Sequence, residues 1–181
     1  MLKIAEFIIL KVLQEFVMLN TTYARQLAKR LKISAPHAHR ICVELFQNKI
    51  IKSSYQENKR MFTLNYKSLM TRQLLRFSTT AWIQQSHHFK ELATICPFGL
   101  YGSFAEGRQT ANSDLDMWVY ISRSEEKKIR QVLNKIEKDF DHQINVIYLD
   151  SKKLKKMRET DREFYLRLRL QSLTEWEEVF E

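Results

Sequence analysis

The sequence predicts an α+β protein of three consecutive parts, with boundaries at residues 1–66, 67–95 and 96–181. The first part has the pattern of helix, helix, turn, helix and hairpin. The second has helical composition without glycine or proline, and the third contains short apolar strands on either side of a glycine loop. The chain has only three glycines. All of them fall in that loop, where we therefore expect unusual backbone conformations.

Composition excludes several classes of protein. With 44% hydrophobic residues, the 181-residue chain can bury cores and is not disordered. No apolar run approaches the roughly 20 residues that span a membrane. The apolar N-terminal stretch carries Glu6, Lys11 and Glu15 at helical spacing, which favours a folded helix over a signal peptide. Cys42 and Cys96 lack metal-like spacing, so we expect buried free thiols and a cytoplasmic protein.

The net charge of +9 is unevenly distributed. Residues 1–95 contain 15 basic and 5 acidic residues, whereas residues 96–181 contain 15 basic and 16 acidic residues. A basic excess of this kind suits a polyanionic partner. The basic excess therefore indicates that the first half of the chain is the part that would bind a nucleic acid.

The first predicted helix, over residues 4–18, is apolar around most of its circumference. It is either central to a core or half of a homodimer interface. Thr21 or Thr22 is expected to cap the second helix, which ends in a short turn at Lys32 and Ile33. Ser34 is expected to cap the third helix.

Two short runs, residues 50–55 and 60–66, then form a predicted hairpin. The stretch LAKRLKISAPHAHRICVELFQNKIIKSS, residues 27–54, resembles the helix-turn-helix of many prokaryotic transcription regulators. With the hairpin, the order of elements is that of a winged helix-turn-helix domain. Lys32 stands where glycine is usual in such a turn.

The resemblance implies that the third helix enters the major groove of DNA and that the hairpin contacts phosphates. The residues expected to face bases are His37, His39 and Arg40, and those expected to face phosphates are Lys49, Lys52, Lys59 and Arg60. Winged helices also serve as docking and dimerisation modules, and this alternative stays open. Residues 67–95 are expected to form one long or two shorter helices, with a break at Ser78–Thr80, that pack the two domains together.

Residues 98–121 read FGLYGSFAEGRQTANSDLDMWVYI and carry the candidate chemistry. A short strand leads to Gly102 and Ser103, which open a short helical segment ending at Gly107. On the following strand, Asp114 and Asp116 share one face because side chains alternate. Two adjacent carboxylates repel each other unless cations neutralise them, and Mg²⁺ is suited to do so. Backbone N–H groups at the start of the helical segment can meanwhile bind phosphate.

The spacing of Gly102-Ser103, ten residues and Asp114-Leu115-Asp116 is similar to the signature of the DNA polymerase β-type nucleotidyltransferase superfamily, and especially to its minimal prokaryotic members. The resemblance implies a small mixed sheet flanked by helices. It also implies nucleotide binding by Gly102, Ser103 and Ser113 and Mg²⁺ binding by the two aspartates. The implied reaction moves NMP from an NTP to a hydroxyl of a protein, a nucleic acid or a small molecule.

The family usually has a third carboxylate on the next strand, and here the matching position is Asn145, within the predicted strand 143–149. An amide can offer oxygen to a metal but cannot act as a base. Asp141 and Asp150 flank the strand, and strand register argues against Asp150. The charges of Glu106 and Arg108 are also exchanged relative to the family pattern.

Two hypotheses follow. The first is an active Mg²⁺-dependent nucleotidyltransferase. The second is a DNA-binding transcription regulator whose transferase-like domain binds nucleotide or a partner without turnover. Asp114 and Asp116 favour metal and nucleotide binding, whereas Asn145 favours weakened chemistry. The charged C-terminal segment contains Lys152, Lys153, Lys155 and Lys156, which are expected to form a solvated helix face, with contact to acceptor nucleic acid as the alternative. Residues 173–179 are expected to form a short final strand.

Overall fold

The computed structural model describes residues 8–121, 125–140 and 142–181. The chain forms two compact units: the first comprises the residues up to Ala81 together with Gly107–Ala111, and the second comprises Trp82–Glu106 and Asn112–Glu181. No helix in the described ranges is long and apolar enough to cross a membrane. The elements are α1 (Ile8–Leu19), β1 (Thr21–Thr22), α2 (Ala24–Leu31), α3 (Ala35–Gln47), β2 (Ile51–Gln56), β3 (Lys59–Leu64), α4 (Leu69–Gln85), α5 (His87–Ala93), β4 (Phe98–Leu100), α6 (Gly102–Glu106), β5 (Leu115–Tyr120), α7 (Glu126–Phe140), β6 (Ile144–Leu149), α8 (Ser151–Thr160), α9 (Arg162–Gln171), β7 (Leu173–Thr174) and a final 3₁₀ helix (Glu177–Phe180).

The first unit has the predicted order of helix, helix, turn, helix and hairpin. Its antiparallel sheet has the strand order β1-β3-β2. The apolar residues of α1 lie in the core of this unit, where Val12, Leu13 and Phe16 are completely buried. Burial of this face explains why the sequence of α1 is apolar around most of the helix.

Local turn chemistry in the first unit mostly follows the sequence. Lys32 ends α2 in the left-handed region, with φ 54° and ψ 43°, at the position where glycine is usual. Ser34 caps α3 by accepting a hydrogen bond from the His37 N–H at 3.4 Å. Glu57 and Asn58 form the two-residue hairpin turn, with φ of 45° and 64°, values typical of a type I′ turn.

The prediction that Thr21 or Thr22 caps α2 is wrong. Both threonines form β1, where they pair with Thr63 and Phe62. Tyr23 takes the N-cap position without a side-chain cap. The β-branched threonines are well suited to a strand, and their cross-strand partners lie too far along the chain for local sequence to reveal them.

The predicted connector forms two helices, but their break lies at Ser86 and not at Ser78–Thr80. The hydroxyls of Thr79 and Thr80 donate to the carbonyls of Leu75 and Arg76, both at 3.1 Å, so these polar residues fit inside α4. Ser86 caps α5 by accepting from the Phe89 N–H at 3.4 Å.

Part of the glycine loop belongs to the first unit. The Tyr66 hydroxyl donates to the Gln109 carbonyl at 2.7 Å, and the buried Gln109 amide donates to Thr79 Oγ1 at 3.3 Å. Gly107 has φ +67°, and a Cβ at this position would collide with the Arg72 backbone carbonyl. The polar segment after α6 is therefore fixed by specific contacts, although its sequence is typical of a solvated loop.

The second unit is built on the mixed sheet β6-β5-β4-β7, in which β5 and β6 are parallel and the other pairs are antiparallel. Apolar residues of α5 and α7 pack against one set of sheet side chains, and residues of α8, α9 and the 3₁₀ helix pack against Trp118 and Leu149. The prediction of a small mixed sheet flanked by helices is confirmed.

The last predicted strand is shorter than expected. Within residues 173–179, only Leu173–Thr174 pair with β4. The Thr174 hydroxyl donates to the Phe98 carbonyl at 2.7 Å and accepts from the Trp176 N–H at 3.1 Å, which turns the chain away from the ladder. Phe180 is then buried, and its carbonyl accepts from the Tyr165 hydroxyl at 2.6 Å.

Candidate functional site

The two aspartates lie at the start of β5, beside the start of the parallel strand β6. Asp114 directly precedes β5, and Asp116 is its second residue. In the register of the two strands, Asp116 pairs with Asn145. Leu115 and Met117, which alternate with the aspartates, are fully buried and fix the face on which the carboxylates lie.

Asn145 contacts both carboxylates. Its Nδ2 atom donates to Asp114 Oδ2 and to Asp116 Oδ1, in each case at 3.2 Å. The structure therefore brings the three predicted residues together, with an amide where the resemblance predicts a third carboxylate. A neutral donor satisfies one lone pair of each aspartate but cannot cancel their charges.

Of the two alternative carboxylates, that of Asp150 does not replace Asn145. Asp150 follows β6 at its opposite end and caps α8, where its Oδ1 accepts from the Lys153 N–H at 2.7 Å. Asp141, the other alternative, lies outside the described residues.

The environment of Asp116 disfavours its charge. Partial burial raises the pKa of this carboxyl above its ordinary value of 3.8, and the nearby Asp114 carboxylate raises it further, while the hydrogen bond from Asn145 opposes both effects. A bound cation would relieve this cost.

The backbone of Gly102 lies directly against Asp116. Gly102 has φ +67°, and a Cβ on it would collide with the carboxylate oxygen Oδ2 of Asp116. The short helix α6 starts at Gly102, and half-buried Ser103 is its second residue. Glycine is required here for two physical reasons, the left-handed backbone and the close approach of a carboxylate. Ser113, at the other end of the loop, is half-buried next to Asp114.

Sequence reasoning missed Tyr101 as a residue of this site. Its N–H donates to the Asp116 carbonyl at 3.0 Å, and its ring meets the Phe164 ring edge-on at 5.9 Å. Burial raises the pKa of Tyr101 to about 12, with a further contribution from the Asp116 carboxylate. In the sequence, the feature that indicates Tyr101 is its position between the end of β4 and Gly102.

The donor set fits a hard cation. Two carboxylates can supply oxygens to Mg²⁺, which usually takes its remaining ligands from water and phosphate. Within residues 8–121, 125–140 and 142–181, no group of three or more His, Cys, Asp or Glu side chains could hold a metal. Among the described residues, the carboxylates at this site are those of Asp114 and Asp116, whereas the resemblance implies three.

The residues predicted to contact nucleic acid lie on α3 and the hairpin of the first unit. His39 and Arg40 are exposed on α3, and His37 is half-buried near its start. The exposed lysines at the end of α3 and on the hairpin are Lys49, Lys52 and Lys59.

Arg60 differs from these residues because it is partly buried. Its guanidinium lies 4.7 Å from the ring centroid of Phe46 and 5.3 Å from that of Phe62. Its Nη2 atom donates to the Ser53 hydroxyl at 3.3 Å, whereas Nε is buried without a partner in the described chain. Arg60 therefore contributes to the packing of the hairpin in addition to any role at its surface.

Comparison with known families supports the class of protein that this site suggests. Residues 86–163 match the family described as Polymerase beta, Nucleotidyltransferase. The matched segment contains α5 to α8 and includes Asp114, Asp116 and Asn145. It indicates a nucleotidyltransferase-type function for the second unit. Comparison with curated proteins gave no significant match.

Proposed function

We propose that this protein is a cytoplasmic, Mg²⁺-dependent nucleotidyltransferase that transfers NMP from an NTP to a hydroxyl acceptor. The observation that carries the proposal is the approach of Gly102 to Asp116, beside Asp114. This arrangement places the backbone at the start of α6 next to two carboxylates, and a metal-bound triphosphate needs both kinds of group. The buried free thiols of Cys42 and Cys96 support a reducing compartment.

In the proposed reaction, the acceptor oxygen forms a bond to the α-phosphorus of the NTP, and the bond from that phosphorus to the β-phosphate breaks, releasing pyrophosphate. Gly102 and Ser103 bind the triphosphate, and Ser113 orients it from the end of the loop. Asp114 and Asp116 would hold Mg²⁺, which supplies positive charge to the phosphates. Asn145 orients both carboxylates and takes no proton, so the acceptor proton leaves to water or to a group on the substrate.

The decisive experiment incubates the protein with each α-labelled NTP, Mg²⁺ and cell extract. We expect label to appear on one acceptor, which identifies both the activity and its substrate. The Asp114→Asn/Asp116→Asn variant should lose transfer and, by calorimetry, Mg²⁺-dependent NTP binding. Glu175→Gln/Glu178→Gln removes equal charge from exposed positions and should retain both. Unchanged nucleotide binding in the aspartate variant would refute the site.

One observation favours a second function, in which the domain binds nucleotide without turnover. Asn145 offers no base, and its amide already occupies one lone pair on each carboxylate. In this alternative the wild type binds NTP but transfers no label, and Asn145→Asp gains transfer. If neither the wild type nor Asn145→Asp transfers label while both bind NTP, the domain is a nucleotide sensor whose lack of transfer is not explained by Asn145 alone.

We also propose that the first unit is a winged helix-turn-helix that binds duplex DNA or another nucleic acid, with a protein partner or a second copy of the chain as the alternative occupants. The order of its elements and the exposed basic residues on α3 and the hairpin support this role. Selection from random duplexes, followed by a salt titration, tests it. No enrichment, together with affinity that is independent of salt, would refute it.

A further inference from the structure

Positive charge in the C-terminal half is concentrated on α8 and α9. Residues 151–171 contain 8 basic and 3 acidic residues, whereas the rest of 96–181 contains 7 basic and 13 acidic residues. In the core of the unit, α8 buries Leu154, and α9 buries Tyr165 and Leu168. The basic side chains of the two helices are thus left at the surface.

Three arginines converge on one cleft beside α9. The cleft has a volume of about 390 Å³ and is lined by Arg158, Arg162, Tyr165, Leu166 and Arg169. The spacing of four and seven residues from Arg162 to Leu166 and Arg169 places these side chains on one face of the helix. Like charges gathered around one concave surface are costly unless an anion neutralises them.

Arg158, Arg162 and Arg169 form no ion pair with any residue in the described part of the chain, whereas other basic residues of the second unit do. Arg167 lies 3.3 Å from Glu163, and Arg130 lies 2.6 Å from Glu126. The fold therefore pairs ordinary surface arginines with glutamates one helical turn away. It leaves three guanidiniums available at the cleft.

We propose that this cleft binds the phosphate backbone of a single-stranded nucleic acid. A guanidinium can donate two parallel hydrogen bonds to a phosphate. The exposed lysines of α8, at positions 152, 153, 155 and 156, extend the positive surface beyond the cleft, which suits a repeating polyanion better than one small ligand. Leu166 and Leu170, 38% and 73% exposed, offer apolar surface to sugars and base faces, which are accessible in an unpaired strand.

The test uses the full chain and fluorescein-labelled 12-nucleotide single strands, with anisotropy measured at several salt concentrations. We expect Arg158→Gln/Arg162→Gln/Arg169→Gln to weaken binding at least about tenfold and to reduce the slope of log affinity against log salt by about 2, since each phosphate contact contributes about 0.7 for single strands. The matched variant Arg130→Gln/Lys135→Gln/Arg167→Gln removes three charges that are each paired with a glutamate. Its affinity should stay within about twofold of wild type.

A second measurement on the wild type keeps the proposal falsifiable if the triple variant does not fold. Ultraviolet crosslinking of a strand containing 4-thiothymidine, followed by peptide mapping, should label residues 158–170. Crosslinks confined to the first unit would overturn the proposal. Unchanged affinity and salt slope in a folded triple variant would also overturn it. A triple variant that loses binding to poly-L-glutamate but keeps binding to the strand would overturn it too, and would assign the cleft to an acidic protein. None of these readouts depends on nucleotidyl transfer.

Discussion

Asn145 donates hydrogen bonds from one amide nitrogen to both candidate metal-binding carboxylates, at 3.2 Å from Asp114 Oδ2 and 3.2 Å from Asp116 Oδ1. The parallel register that pairs Asp116 with Asn145 creates this contact. The amide partly compensates two repelling charges without cancelling them. Its replacement by a carboxylate therefore changes both the stability of the site and its affinity for cations.

Asn145→Asp should lower the melting temperature in the absence of divalent cations, by about 2–4 °C for a loss of about 1 kcal/mol. The reason is that a third carboxylate replaces a donor with a charge that repels two others. Saturating Mg²⁺ should restore the melting temperature of the variant. Mg²⁺ should also bind more tightly to the variant than to wild type. Thermal denaturation with and without Mg²⁺ measures both effects. Asn134→Asp, an exposed substitution on α7, adds the same charge away from the site. It should change neither the melting temperature nor the affinity for Mg²⁺.

Asp116→Asn should raise the melting temperature at pH 7. Because folding raises the pKa of this carboxyl above 3.8, the folded state holds its proton more tightly than the unfolded state does. Ionisation of Asp116 therefore costs stability as pH rises from about 4, and the cost is complete above the raised pKa. The gain from Asp116→Asn should shrink as the pH is lowered to 4. A gain of equal size at pH 4 and pH 7 would contradict this explanation.

Gly102→Ala should weaken NTP binding at least about tenfold and cost about 1–3 kcal/mol of stability, because the new Cβ meets both a left-handed backbone and the Asp116 carboxylate. Gly107→Ala is the matched comparison. It has the same φ of +67°, but its Cβ meets the Arg72 backbone instead. We expect it to lower the free energy of unfolding similarly while folded protein still binds NTP in calorimetry. Equal loss of NTP affinity in both variants would argue against a specific role for Gly102.

Lys32→Gly should raise the free energy of unfolding by about 0.5–1 kcal/mol. Lys32 ends α2 with φ 54°, a conformation that costs a side-chain-bearing residue about 1–2 kcal/mol, and the greater entropy of glycine in the unfolded state offsets part of the gain. Urea denaturation followed by circular dichroism measures the change. Lys29→Gly, an exposed position within α2, should instead lose about 1 kcal/mol.

If the first unit binds duplex DNA as proposed, Lys52→Gln should reduce the salt slope of binding by about 1, because it removes a phosphate contact at an exposed position. Arg40→Gln, at an exposed position expected to face bases, should instead relax sequence specificity at one base pair. Lys11→Gln, on the exposed side of α1, should leave the slope unchanged. Arg60→Gln should also destabilise the hairpin, since Arg60 packs on Phe46 and Phe62. Filter binding at several salt concentrations separates these effects.

Much of the fold could be predicted because local rules determined it. In the first unit, apolar periodicity located the helices and strands to within a few residues, and Ser34 capped α3 as its position indicated. The misplaced break at Ser78–Thr80 arose because the Thr79 and Thr80 hydroxyls bond carbonyls of their own helix. The error at Thr21 and Thr22 arose because a distant partner competed with a local rule. Thr21 and Thr22 pair with Thr63 and Phe62 and so form a strand in place of a cap.

The sequence by itself determined that Asp114 and Asp116 share a strand face and that the glycines mark the loop beside them, since alternation and left-handed backbone are local properties. Tertiary structure alone decided that the Asn145 amide bonds both carboxylates and that Gly102 lies against Asp116. It also decided that Gly107–Ala111 belong to the first unit. These contacts join residues far apart in the chain, and their geometry follows from strand register and core packing, which no single segment of the sequence contains.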